Sequence, residues 1–120
     1  ILNNPAEHIL SPGGEIIMAI VDDTAIGCCA LLPMEDGSFE VSKMGVSEEY
    51  RGRGIGRRLL AYTIGHARAS GIRRLYLETS HKLGNAIYLY ESLGFRHLPA
   101  DRVHPSPYAR ADVFMELPLD

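Results

Sequence analysis

The chain has 120 residues, enough for one domain with a real core and too few for two. Hydrophobic residues are 46% and charged residues 22%, a balance that excludes a disordered chain. The net charge of −3 hides an asymmetry: residues 50–75 carry seven arginines and no acid, and the remainder carries five bases and fifteen acids, a split of +7 against −10.

Residues 1–14 are polar and broken by Pro5, Pro12, Gly13 and Gly14, so they read as a connection or the tail of a helix. Glu15–Val21, rich in Ile and Val, reads as a buried strand, and Asp22-Asp23-Thr24 as a turn. Ala25–Met34 is a second strand. Asp36-Gly37 is a hairpin signal, and Phe39–Val46 a third strand. The period then changes. Arg53–Ser70 reads as a helix with Ile55, Leu59, Leu60, Thr63, Ile64 and Ala67 on one side and Arg57, Arg58 and Arg68 opposite. Gly71 stops it. Ile72–Thr79 is a strand in which Leu75 and Leu77 alternate with Arg74, Tyr76 and Glu78. Leu83–Leu93 is a second helix, stopped by Gly94. Phe95–Leu98 begins a strand, a loop with Pro99, Pro105 and Pro107 follows, and Ala111–Leu117 is the last strand. The order predicts a single α/β domain over residues 1–120, with a mixed, mostly antiparallel central sheet flanked by helices.

The longest apolar runs, Ile16–Val21 and Ala25–Pro33, are far shorter than the roughly 20 residues of a membrane helix, and no targeting segment is visible. Cys28 and Cys29 are adjacent, without the spacing of a disulfide framework or metal site, and read as two small apolar residues in a reducing, cytoplasmic setting. The five histidines are scattered, so no metal is expected. The arginine-rich segment points to a local anionic ligand, with plain solvated helix charge as the alternative. Nucleic acid would want a wider basic face and interleaved aromatics, so it is not expected as a partner. The chain begins at Ile1 and not Met, as a trimmed or processed product, or an ordered part, would.

The stretch Val46-Ser47-Glu48-Glu49-Tyr50-Arg51-Gly52-Arg53-Gly54-Ile55-Gly56 joins a strand to a helix. Gly52, Gly54 and Gly56 let backbone approach a ligand, at a point where free N–H groups and the helix dipole favour an anion. Arg51 and Arg53 flank it and Arg57 lies in the first turn, the side chains that bind phosphate. A P-loop is excluded because no Lys-Ser/Thr pair follows Gly56. A dinucleotide fingerprint has a different glycine spacing and follows its strand directly. A tight structural turn is the plainer alternative.

Arg51-Gly52-Arg53-Gly54-Ile55-Gly56 resembles the Gln/Arg-x-x-Gly-x-Gly/Ala signature of the GNAT family of N-acetyltransferases. Ala86-Ile87-Tyr88-Leu89-Tyr90-Glu91-Ser92-Leu93-Gly94-Phe95 is similar to the second acyl-CoA segment of that family, Ala-x-x-Leu-Tyr-Glu-x-x-Gly-Phe. The match covers roughly Glu15 to Leu117. The resemblance implies acetyl-CoA as donor substrate and a primary amine as acceptor. It implies a strand bulge at Met44-Gly45-Val46 that pairs with the pantetheine arm, and a diphosphate lying on the amides of Arg51, Gly52, Arg53, Gly54, Ile55, Gly56 and Arg57. Tyr90 matches the tyrosine near the thioester sulfur, a general acid for the leaving thiolate; a core aromatic is the plainer reading. Glu40, the one acid in Phe39–Val46, is the candidate base, since partial burial would raise its pKa; an exposed strand acid is the alternative, and water relays from Glu78 or Ser80 are substitutes.

The sequence departs from the family where an Asn is common three residues before Ala86: that residue is Leu83. Asn85, on helix arithmetic, falls on the face away from Tyr90 and reads as an exposed first-turn residue. Family members usually carry an extra strand and one or two helices before the position of Glu15, and the irregular reading of residues 1–14 leaves those unfilled. The loop His97–Ala111 could line the acceptor site, with Arg110 and Asp112 either gripping a substrate or pairing with each other. The expected function is direct acetyl transfer from acetyl-CoA to an amine. A non-catalytic acyl-CoA-binding or regulatory module on the same fold is the alternative, and a homodimer is left open.

Overall fold

The computed structural model describes residues 2–7, 14–99 and 112–119. Strand β1 (Leu2–Glu7) pairs antiparallel with β2 (Glu15–Val21). Residues 2–7 therefore correct the irregular reading of the first fourteen residues: extended chain there adds a strand at the edge of the sheet, despite Pro5. An edge strand tolerates the missing proline N–H, which is why composition alone misreads this segment.

β2 runs into β3 (Thr24–Pro33) through Asp22 and Asp23, both at positive φ, 50° and 64°. Two such residues between the paired Val21 and Thr24 form a primed hairpin turn, whose twist suits the flanking strands, and Asp tolerates it well. β4 (Phe39–Val46) follows a tighter connection, where the Ser38 N–H donates to Asp36 Oδ1 at 2.9 Å and Met34 N–H to the Ser38 carbonyl at 2.8 Å. Helix α1 (Ile55–Ala69), β5 (Arg74–Thr79), helix α2 (Gly84–Ser92), β6 (Arg96–His97) and β7 (Val113–Pro118) complete the order. The strands described form one sheet, β1-β2-β3-β4-β5-β7-β6, antiparallel throughout except between β4 and β5. The predicted fold class holds.

Both helices cover one face of this sheet. Leu59, Leu60, Thr63, Ile64 and Ala67 of α1 are buried, at the spacing the sequence pattern required. They meet Ile17, Cys29, Leu31, Val41, Leu75, Leu77 and Met115, with Leu89, Tyr90 and Leu93 of α2 packed against the cluster. The opposite face carries the alternate residues of the same strands, among them Glu40, Tyr76 and Glu78.

Two irregularities in β4 position the site. β4 and β5 are parallel but pair only at Phe39↔Leu75 and Glu40↔Tyr76. Past those pairs β4 continues to Val46 and β5 to Thr79 without pairing each other, so a wedge opens between them. Between Ser42 and Gly45 the β3–β4 register shifts: Ala30 faces Ser42 and Cys28 faces Gly45, so β4 spends one extra residue there. This is the bulge expected at Met44-Gly45-Val46, displaced slightly toward Ser42. The narrow end of the wedge is pinned by Arg74, whose Nε donates to Glu116 Oε1 at 2.7 Å and whose Nη1 donates to Ser38 Oγ at 3.1 Å.

The burial pattern yields a stability prediction. Leu60→Ala, at a fully buried position between α1 and the sheet, should cost about 3 kcal/mol in denaturant unfolding. Arg68→Ala, exposed on the same helix, should change stability by less than about 0.5 kcal/mol.

Candidate functional site

The segment from β4 to α1 is built to leave backbone donors open. Ser47 N–H bonds the Ile26 carbonyl at 2.7 Å, and a short 3₁₀ turn spans Glu48–Tyr50. Arg51 then folds back, its Nε donating to the Val46 carbonyl at 3.1 Å, which ties the loop to the end of the bulged strand. Gly52 and Gly54 sit at φ of 80° and 77°. A Cβ at either would meet nothing within 4 Å, so glycine is required there by backbone conformation and not by space. This conformation also explains why α1 starts at Ile55 and not at Arg53: a residue in the left-handed region cannot continue a right-handed helix. The first α-helical bond is Arg58 N–H to the Gly54 carbonyl at 3.1 Å, and no side chain caps the helix. The N–H groups of Ile55, Gly56 and Arg57 thus have no acceptor within the helix.

These donors face a cleft of about 300 Å³ lined by Val46, Arg51, Gly52, Gly54, Ile55 and Gly56 on one wall. The start of α2 forms the other wall, through Asn85, Ala86 and Leu89. Two helix N-termini therefore open on one space, and their dipoles add. Gly56 permits the approach: a Cβ there would already touch Met44, Val46 and Leu89. Bare N–H donors at a helix start make such a cradle suited to an anion, and Val46, at the end of the bulged strand, belongs to its wall.

Six of the expected donor-site residues share this cleft. The others are placed differently. Arg57 donates to Ser92 Oγ, joining α1 to α2 beside the cleft. The Arg53 guanidinium lies 5.0 Å over the Tyr50 ring and lines a separate hollow. Met44 packs on the core and Gly45 is open to solvent at the bulge.

Asn85 corrects the helix arithmetic. It is exposed, as expected, but it lines the cleft. Side chains in a first turn lean toward the helix N-terminus, and here that terminus is aimed at the glycine loop. Leu83, at the position where an amide was missing, is 56% exposed.

Tyr90 is partly buried beneath the sheet on the helix side, its ring 5.9 Å from that of Phe95. Among the described residues its hydroxyl makes no hydrogen bond. Burial, and secondly Cys29 nearby, push its pKa above the ordinary tyrosine value, so it keeps its proton at neutral pH. Cys29 itself is held neutral: burial raises its thiol to about 12, against the lowering effect of its bond with Thr63. Neither Cys28 nor Cys29 is in a disulfide.

Glu40 lies on the opposite face of the sheet, at the narrow end of the wedge beside Tyr76. Burial raises its pKa, and Glu78 adds like charge. The Tyr76 hydroxyl donates to Glu78 Oε2 at 3.0 Å. The alternation of β5 had marked Tyr76 and Glu78 as sharing a face; only the sheet brings that face against Glu40. Arg110 and residues 100–111 of the proline-rich loop lie outside the described residues. Asp112 is engaged by His81, whose backbone N–H donates to Asp112 Oδ1 at 2.8 Å and whose Nδ1 meets the other oxygen. Among the described residues no group of His, Cys, Asp and Glu could hold a metal ion, and no helix is long and apolar enough to cross a membrane.

The sequence pattern of the acetyltransferase (GNAT) family matches residues 3–95. An IAA acetyltransferase of Azospirillum brasilense is 38% identical over 116 residues, covering 94% of this chain and 73% of its own length. A ribosomal protein bS18-alanine N-acetyltransferase of Escherichia coli is 36% identical over 78 residues, covering 63% of this chain and 53% of its own length. Among solved structures, a GNAT acetyltransferase of Staphylococcus aureus superposes with a TM-score of 0.78 at 28% identity, over 90% of this chain and 69% of that one. A GNAT acetyltransferase of Elizabethkingia anophelis with acetyl-CoA bound has the same fold, with a TM-score of 0.75 at 24% identity, over 88% of this chain and 76% of that one.

The glycine loop gives a paired prediction. Gly54→Ala forces a side chain into the left-handed region and should cost about 1–2 kcal/mol of stability. Gly65→Ala, in the interior of α1 with open space at its Cβ, should instead stabilise by about 0.5–1 kcal/mol. Thermal and denaturant unfolding of the two variants should move in opposite directions.

Proposed function

The chain belongs to the GNAT acetyltransferase family, and from that membership we propose that it transfers an acetyl group from acetyl-CoA to a primary amine by direct attack. The observation that carries this reading is the arrangement around the wedge. A cleft with open N–H donors lies at the end of bulged β4, the unpartnered hydroxyl of Tyr90 is packed on the helix side of the sheet, and a half-buried carboxyl, Glu40, stands on the other side.

The donor brings an activated acyl thioester. The chain supplies the remainder. The open amides of Ile55, Gly56 and Arg57, with Arg51, hold the diphosphate. The bulge at Met44-Gly45-Val46 leaves strand backbone free for the pantetheine amides, and Asn85 supplies the side-chain amide that Leu83 lacks. Glu40 takes a proton from the acceptor ammonium, so that the neutral amine can attack the thioester carbonyl. Tyr90 gives its proton to the departing thiolate. The raised pKa values suit both roles: Glu40 becomes a stronger base than an ordinary carboxylate, and Tyr90 stays protonated until it is needed. With the acid and the base on opposite faces of the sheet, donor and acceptor enter from opposite sides and meet at the wedge. A cytoplasmic location fits this use of acetyl-CoA.

Acetyl-CoA should raise the melting temperature in a concentration-dependent way. Tyr90→Phe should lower kcat by roughly a hundredfold or more while leaving acetyl-CoA affinity within about twofold. Stabilisation by acetyl-CoA without thiol release across a broad panel of amines would point to a binding module instead.

The acid limb of the kcat/KM profile should lie above the ordinary carboxylate range, because Glu40 must lose its proton to act and its pKa is raised. Glu78→Gln removes the like charge but not the burial, so the limb should move to lower pH. An unmoved limb would exclude Glu40 as the titrating base.

A further inference from the structure

Tyr76 is only 1% exposed, although it stands on the sheet face away from both helices. The proton transfers above do not use it. Its neighbours on that face are charged: Glu40 is its partner on β4, Glu116 its partner on β7, and the Arg74 guanidinium lies 5.5 Å from its ring centroid. A tyrosine buried this deeply needs a partner for its hydroxyl. It finds Glu78 Oε2 at 3.0 Å, two residues along its own strand and therefore on the same face.

Among the described residues the cations around Glu40 and Glu78 are engaged with other acids. Arg74 bonds Glu116 and pairs with Asp36, and Arg96 bonds the second oxygen of Glu116. Past the end of β5, His81 and Asp112 pair with each other. The strand partners of Glu40 on β3 and of Glu78 on β7, Leu32 and Phe114, carry no charge. A half-exposed glutamate left to itself turns its carboxylate to water and away from a like charge. The bond from Tyr76 opposes that turn, and a ring packed on all sides cannot follow the carboxylate outward.

We propose that Tyr76 is a positioning residue of the acceptor side: its hydroxyl holds the Glu78 carboxylate along β5, so that a second, fixed negative charge stands beside Glu40. The inference rests on the acetyl-transfer reading above, in which Glu40 takes the acceptor's proton. A carboxylate with a fixed like charge beside it is easier to protonate, and so a stronger base. Tyr76 itself moves no proton, since burial and its bond to Glu78 keep the hydroxyl protonated. It acts only through Glu78.

The test follows the Glu40 carboxyl by carbon-detected NMR as pH is varied, in the full chain and in variants, and so needs no acceptor. In the full chain its midpoint should lie above the ordinary carboxylate range. Tyr76→Phe keeps the ring and removes the hydroxyl. It should lower the midpoint by roughly 0.3–1 pH unit, the range expected when a like charge moves out to water. Glu78→Gln should lower it at least as far, and Tyr76→Phe added to Glu78→Gln should lower it no further. A Tyr76→Phe midpoint equal to that of the full chain overturns the proposal, as does an equal shift with and without Glu78. If Tyr76→Phe does not fold, the full chain decides: the Tyr76 ring carbon that bears the hydroxyl should shift as Glu78 titrates, and a carbon that ignores pH across the carboxylate range overturns the proposal. The acetyl-transfer reading fails separately, when no amine of a broad panel releases thiol from acetyl-CoA while the midpoints move as stated; that outcome strips the tie of a catalytic role.

Discussion

The structure depends on the brevity of the contact between β4 and β5. Parallel strands can pair along their length, but these two exchange bonds at only two residue pairs before they part. The narrow end is pinned by Arg74, which bridges Glu116, Ser38 and Asp36 from a partly buried position. Its hydrogen bond, and then its charge, hold the Glu116 carboxyl below the ordinary value. On the other side, the extra residue of the β4 bulge turns the strand away from β5 while β3 keeps its hold on it. A pinned end and a bent strand leave a gap in the middle of an otherwise continuous sheet. Every element of the proposed site is placed by its relation to that gap.

The gap also connects two faces of different chemistry. The helix side is a packed core in which Tyr90 sits with a hydroxyl that nothing described satisfies, at the usual cost of burying a polar group. The other side carries Glu40, Tyr76 and Glu78, where burial and mutual repulsion make a carboxyl easier to protonate. Burial raises the pKa on both faces, with opposite consequences. A tyrosine made harder to ionise remains a proton donor, and a carboxyl made harder to ionise becomes a better acceptor.

The arginines illustrate how one basic segment serves several ends. Summed along the chain, they suggest a single anionic surface. In three dimensions Arg74 is a structural tie, Arg51 and Arg57 brace the loop and the two helices, and Arg53 with Arg58 face their own hollow. The charge asymmetry suggests one anionic ligand, but it overstates how many guanidiniums lie beside the glycine loop.

Much of this was legible in the sequence. The β2–β4 meander, the apolar stripe of α1 and the alternation of Leu75 and Leu77 follow from periodicities of 2 and 3.6, which are local properties of the chain. Gly52 and Gly54 marked the helix start because only glycine accepts that backbone cheaply, and Tyr90 was marked by its segment. What the sequence could not supply depends on contacts between distant residues. β1 is a strand because β2 offers it an edge, and its own composition, with Pro5, argues otherwise. Asn85 lines the cleft because α2 begins opposite the glycine loop, a relation that an angle around one helix cannot express. Glu40 and Glu78 influence each other because two parallel strands meet at Glu40 and Tyr76, nearly forty residues apart in the chain. The sequence by itself determined the elements from β2 onward, the glycine loop and the motifs that carry the family resemblance, because short-range sterics and hydrophobic spacing govern them. Only the tertiary structure decided which residues share the gap, because where β4 and β5 separate is set by a bulge and an arginine cluster that no single segment contains.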